Sequence, residues 1–219
     1  MKLPGRVRSG NFFACVKMLK KPLVREKYFP HLGVYFYANI VYNTSYILDE
    51  YRPAPVGRSN HMTRSNAREI AVHFIFELSF SKESAQSLLE EFLTPEAFAR
   101  LGEEEPLYAQ FPNAKQKDYI ANLVTGVYQH SGELDGYIEQ YAQGWRFSRI
   151  DRVAVAIMRC SMHEILYLDD VPTSASINEA VEIAKGYEPP EACAFINGIL
   201  GTFVRERVGE DAQGEATEE

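Results

Sequence analysis

From Met62 to Val208, apolar residues recur at three- and four-residue steps almost without interruption. That period lines them along one face of an α-helix, because side chains three and four positions apart are neighbours on its surface. Residues 64–80 carry Ile70, Phe74, Ile75 and Leu78 in this way. Residues 84–93 and 95–101 follow, with Thr94 as a natural N-cap ahead of Pro95. After a polar linker at 102–112, residues 115–130 present Ile120, Leu123, Val124 and Val127. Ser131 is placed to cap a short helix bearing Leu134, Tyr137, Ile138 and Tyr141, and Gly144 to end it.

The pair Ser148 and Asp151 predicts a capping box that opens a helix over 149–167. This segment is apolar on most sides, so it is expected at the centre of the fold. Residues 174–185, closed by Gly186, and residues 191–208, introduced by Pro189-Pro190, complete the pattern. About seven helices and no convincing strand make the class all-α.

Charge divides the chain. The whole carries 23 Lys/Arg and 30 Asp/Glu, yet residues 1–61 hold ten of the bases and only three acids, Glu26, Asp49 and Glu50. Residues 62–219 are left with 13 bases against 27 acids, and five of those acids fall in 209–219. Three regions follow: a basic, aromatic-rich extension at 1–61, a helical domain at 62–208, and an acidic tail at 209–219 expected to lack fixed structure. The extension has no clean apolar run or cleavage site of a secretory signal. It reads either as an arm that stacks on single-stranded nucleic acid or as sequence upstream of a start at Met62.

Little in the domain suggests catalysis. There is no G-x-G-x-x-G, no phosphate-cradling G-x-x-x-x-G-K-[ST] and no H-E-x-x-H. The five histidines (31, 61, 73, 130 and 163) lack metal-ligand spacing, and three cysteines without C-x-x-C spacing indicate neither disulfides nor zinc. His163 and Glu164 are adjacent, so on a helix they point about 100° apart and do not face one another. No metal, no cofactor and no enzymatic activity are expected. With no run approaching a membrane span of roughly 18–20 residues, a soluble cytoplasmic protein is expected.

One local feature stands out. Arg64 and Arg68 lie one helical turn apart, just ahead of the first apolar stretch of an acidic domain. A planar guanidinium suits phosphate and base stacking. The competing reading is a solvated helix start, its arginines paired with nearby Glu69.

Several segments together resemble the NusB family of transcription antitermination factors. They are Ala67-Arg68-Glu69 followed by Ala71, then Arg149-Ile150-Asp151-Arg152-Val153 with Ile157-Met158-Arg159, then Val171-Pro172. The run Ile177-Asn178-Glu179-Ala180-Val181-Glu182-Ile183-Ala184-Lys185 and the cluster Phe195-Ile196-Asn197-Gly198-Ile199-Leu200 complete the resemblance. It implies a compact arrangement of two three-helix bundles. Much of this signature reads as packing. Gly198 in mid-helix suggests a second backbone close by, with Asn178 and Asn197 placed to hydrogen-bond across it.

The resemblance also implies function: binding of boxA-type single-stranded leader RNA from ribosomal RNA operons, together with ribosomal protein NusE, within the RNA polymerase antitermination complex. By the same resemblance, Arg64, Arg68, Tyr187 and Phe195 are candidate RNA-binding residues. Phe76, Ala154 and Glu191 are candidate partner-binding residues, and a homodimer is left open. Two departures matter. Ser65 and Asn66 stand where the family is often basic, which predicts fewer phosphate contacts and a shallower salt dependence. Ala154 and Val155 stand where it has an acid and a base. The alternative is a helical protein-interaction module without RNA specificity.

Overall fold

The structure is a computed structural model that describes residues 62–208; the readings of 1–61 and 209–219 lie outside the described residues. Among the described residues eight α-helices follow one another: α1 Arg64–Leu78, α2 Ala85–Phe92, α3 Pro95–Gly102, α4 Ala114–Gln129, α5 Ser131–Tyr141, α6 Arg152–Tyr167, α7 Thr173–Tyr187 and α8 Pro190–Phe203. Short 3-10 turns at Pro106–Tyr108 and Phe147–Arg149 punctuate the chain, and a π turn, Val204–Val208, follows α8. Among the described residues there is no strand, as the periodicity requires.

Side-chain caps set several boundaries. Thr63, Ser84, Thr94 and Asn113 each accept a backbone N–H from the first turn of the helix they open. Other expected boundaries are corrected. Asp151, not Ser148, caps α6 by accepting from Val153 N–H at 2.9 Å, because 147–149 form a 3-10 turn first. Ser131 is the first residue of α5 rather than its cap, and His130 N–H bonds back to Gly126 O, so α4 runs almost directly into α5. Helix α5 stops at Tyr141, two residues before its expected end, and α7 continues through Gly186 to Tyr187.

Helix α6 is the hub. It packs against α1, α4, α5, α7 and α8, while α1 and α2 lie on α4, and α7 and α8 lie on each other. Two helical groups thus share one axle, and the all-round apolar character of α6 is the reason: Val153, Ala156, Ile157, Met158 and Met162 are all buried. They meet Ile70, Phe74 and Ile75 of α1, Leu123 and Val124 of α4, and Ile196, Leu200 and Phe203 of α8 in one continuous core.

Where α4 crosses α6 the approach is close. A Cβ on Gly126 would fall 2.2 Å from Nε2 of the buried His163, so only glycine leaves room for the imidazole. Burial, with the charge of neighbouring His130, pushes the His163 pKa down to about 4. The expected close approach at Gly198 is absent. A Cβ there would meet nothing within 4 Å, and Asn178 and Asn197 are exposed, so this glycine faces solvent.

Candidate nucleic-acid and partner interface

Helix α1 carries both arginines, and the fold sends them to different environments. Arg68 is 4% exposed. Its Nε donates to both carboxylate oxygens of Glu164 (3.0 and 2.9 Å), Nη2 donates to Glu164 Oε1 (2.9 Å), and Nη1 donates to Glu179 Oε2 (2.8 Å). Glu164, on α6, is fully buried and also accepts from Tyr119 Oη and from Ser176 Oγ at 2.7 Å. Burial alone would loosen the guanidinium proton, but the bonds to Glu164 and its charge outweigh that and hold it above its usual range.

A buried carboxylate needs a paired, hydrogen-bonded cation, and Arg68 is that cation. This corrects the expectation that Arg68 contacts RNA, because its donors are spent inside the protein. Glu69 is not its partner either; that carboxylate accepts from Tyr187 Oη.

Arg64 lies one turn nearer the surface. It forms a two-pronged pair with Asp170 at 3.0 and 3.2 Å, and its guanidinium carbon sits 4.6 Å from the centre of the Tyr119 ring. The Arg64 side chain is 38% exposed and that of Asp170 is 66% exposed. A solvated pair of this kind is weakly held and readily exchanged. The bonds from Arg64 hold the Asp170 carboxyl below its ordinary range, with Lys115 adding positive charge nearby. Arg64, Lys115 and the face of Tyr119 are thus a small cationic and aromatic surface on which the carboxylate paired to Arg64 is replaceable.

The remaining candidates divide in the same way. The Tyr187 hydroxyl points inward, bonding His73 Nε2 at 2.7 Å, while His73 Nδ1 meets Tyr108 Oη at 2.8 Å. Because Tyr187 donates to Glu69, it accepts from His73, which assigns the imidazole proton to Nε2 and leaves Nδ1 to accept from Tyr108. Tyr187 therefore ties α7 to α1, and its polar end is unavailable to a ligand.

Phe76 and Ala154 are buried, at 6% and 2% exposure, which corrects their expected role as partner contacts. Phe76 packs edge-on against Phe80 (5.0 Å), and Arg152 caps the Phe80 ring at 4.4 Å while donating to Ser79 O at 2.8 Å. These contacts lock the end of α1 to the start of α6. Glu191 is exposed in the first turn of α8, and Phe195 is half-buried on the same helix.

Sequence reasoning overlooked the neighbour of Phe195. Trp145, in the turn after α5, is 58% exposed, and its ring centre lies 5.6 Å from that of Phe195. A tryptophan followed by Arg146 and Arg149 was the available signal. It also passed over Tyr119, which touches both arginines of α1.

Among the described residues no nucleophilic or metal centre competes with this surface. The Cys160 and Cys193 thiols are buried, and burial pushes both pKa values up, so neither is a ready thiolate. Among the described residues no cluster of His, Cys, Asp or Glu could hold a metal, and no helix is long and apolar enough to cross a membrane.

Comparison with known proteins places the chain in a family. The sequence profile of the NusB family matches residues 65–205, which takes in α1 from its second residue onward and the Phe195 cluster. The chain belongs to the NusB family. The transcription antitermination protein NusB of Thermoanaerobacter sp. (strain X514) is 38% identical over 152 residues, which is 69% of this chain and 97% of that one. NusB of Acetivibrio thermocellus is 38% identical over 144 residues, 66% of this chain and 90% of its own.

Solved NusB structures share the fold. T. maritima NusB superposes with a TM-score of 0.56 at 25% identity, over 67% of this chain and 93% of that one. A chain from a complex of antitermination factors NusB and NusE with double-stranded RNA gives 0.52 at 21% identity, over 65% and 96%. At that identity the second likeness speaks for the fold alone. The NusB-family domain of this chain therefore keeps the family's helical frame while its two leading arginines are divided between interior and surface.

Proposed function

We propose that this chain is a non-enzymatic RNA-binding transcription antitermination factor. It binds boxA-type leader RNA of ribosomal RNA operons with NusE, in the RNA polymerase antitermination complex of the cytoplasm. Its curated relatives carry the name transcription antitermination protein NusB at 38% identity across nearly their full length. A protein of the same fold is described in complex with NusE and RNA. The observation that carries the reading is Arg64. Immediately ahead of the family match, it holds a part-exposed guanidinium over Tyr119, paired among the described residues to an exposed carboxylate that a phosphate can replace. In this reading Phe195 and exposed Glu191, on the matched α8, serve RNA and NusE respectively.

A second reading, a protein-interaction module without RNA specificity, draws on the internal fate of Arg68 and on the 22 acids against 13 bases in residues 62–208. Fluorescence anisotropy with labelled boxA-type RNA and a scrambled control, each with and without NusE, separates the two. Preference for boxA-type RNA supports antitermination. NusE binding with no RNA preference would establish the interaction module instead.

A further inference from the structure

Trp145 has no role in the core, yet the protein holds it out with care. Helix α5 ends at Tyr141; Gly144 then takes φ +80°, a left-handed conformation that glycine adopts at no steric cost, and the Trp145 N–H bonds back to Ala142 O at 2.9 Å. Two residues on, Phe147 packs against the core, so the turn is anchored on the far side of the indole. Trp145 is nevertheless 58% exposed, its ring resting at 56° on half-buried Phe195 with centres 5.6 Å apart.

The surroundings are cationic. Arg146 N-caps the 3-10 turn Phe147–Arg149, and the Arg149 N–H bonds to Arg146 O at 2.8 Å. The two guanidinium groups are thus carried three residues apart, at the start and the end of this short turn. Both are exposed, and neither has a hydrogen bond or ion pair among the described residues. In an acidic domain, residues 145–149 contain two bases and no acid.

From this geometry we infer that Trp145 is a base-stacking platform for single-stranded RNA, with Arg146 and Arg149 taking the adjoining phosphates and Phe195 supporting the indole from beneath. A flat π-face accepts any base, while unpaired guanidinium groups beside it favour an anionic backbone over a neutral or basic ligand. The assignment rests on the RNA-binding reading above and adds to it a contact point on the loop between α5 and α6.

Trp145 is the only tryptophan in the chain, so its fluorescence reports on this site alone. The full chain is titrated with a fluorescein-labelled single-stranded boxA-type RNA, following label anisotropy and, with unlabelled RNA, tryptophan emission. Stacking predicts quenching that saturates at the same RNA concentration as the anisotropy change. Trp145→Ala is expected to weaken binding about 5- to 100-fold and Trp145→Phe much less. Helicity should stay unchanged, because the ring is outside the core. Arg146→Ala with Arg149→Ala is expected to flatten the log–log salt dependence by about 1.4.

RNA binding that leaves emission unchanged and survives Trp145→Ala would overturn the inference while the RNA-binding reading stands. Loss of NusE affinity in Trp145→Ala with RNA affinity intact would overturn it too, giving the indole to a protein contact. No anisotropy change with or without NusE would overturn both readings together.

Discussion

Arg68 on α1 and Glu164 on α6 are joined by three hydrogen bonds of 2.9–3.0 Å in the protein interior. The helix that opens the domain is thereby fastened to its central helix by an ion pair spanning 96 positions of sequence. Removing one partner leaves a buried charge uncompensated. Arg68→Ala should therefore cost about 3–5 kcal/mol in urea unfolding, and Arg68→Lys should rescue it poorly, since an ammonium cannot match the forked geometry. Replacing both Arg68 and Glu164 with leucine should recover much of the loss. An Arg68→Ala protein as stable as the parent would refute the anchoring role.

Asp170 occupies the guanidinium fork of Arg64 at the surface. Asp170→Asn should free that fork and tighten RNA binding severalfold, with little change in thermal stability. Arg64→Ala should weaken binding and lower the salt slope by about 0.7, the share of one phosphate on a single strand. Opposite outcomes in an anisotropy titration over salt would remove Arg64 from the interface.

Gly126 and His163 share one space. A methyl group on Gly126 would collide with the imidazole at 2.2 Å. Gly126→Ala should destabilise the fold by about 1–3 kcal/mol, as overpacking does. Combining it with His163→Ala should cost clearly less than the sum of the two single changes. Strict additivity in a double-mutant cycle would show that the contact is not made.

The same histidine predicts a pH dependence. Its folded pKa, lowered to about 4 by burial and by His130, lies below the unfolded value of 6.5. Between those values the unfolded chain binds the proton and the folded one resists it, so stability rises with pH there. The contribution is complete above pH 6.5 and is lost as pH falls toward 4, on the order of 3 kcal/mol in all. Urea midpoints measured across that window should fall more steeply for the parent than for His163→Gln. Parallel profiles would assign the acid sensitivity to other groups.

Tyr187→Phe removes the hydroxyl shared by His73 and Glu69. Leaving these two groups without it should cost about 1–3 kcal/mol. Full stability in that variant would show that water substitutes for the phenol.

The helices were legible in the sequence because their causes are local. The spacing of Ile70, Phe74 and Ile75, or the Thr94-Pro95 start of α3, acts within a few residues of itself. The central place of α6 was legible too, since a helix apolar on most sides has nowhere else to go. The resemblance of α1 and the 195–200 cluster to NusB pointed to the family for the same reason: these are short, contiguous patterns.

Which arginine faces a ligand was not legible. Arg64 and Arg68 are chemically identical and one turn apart, and their fates depend on carboxylates 106 and 96 positions away. Nor could spacing reveal that Phe76 is buried, that Gly198 faces solvent, or that Trp145 stands exposed on Phe195. The chain's own periodicity and caps determined that it forms helices and which family it joins. Only the packing of α1, α4 and α7 around α6 decided which charges are buried and which remain in water, because desolvation is a property of a side chain's neighbours in space.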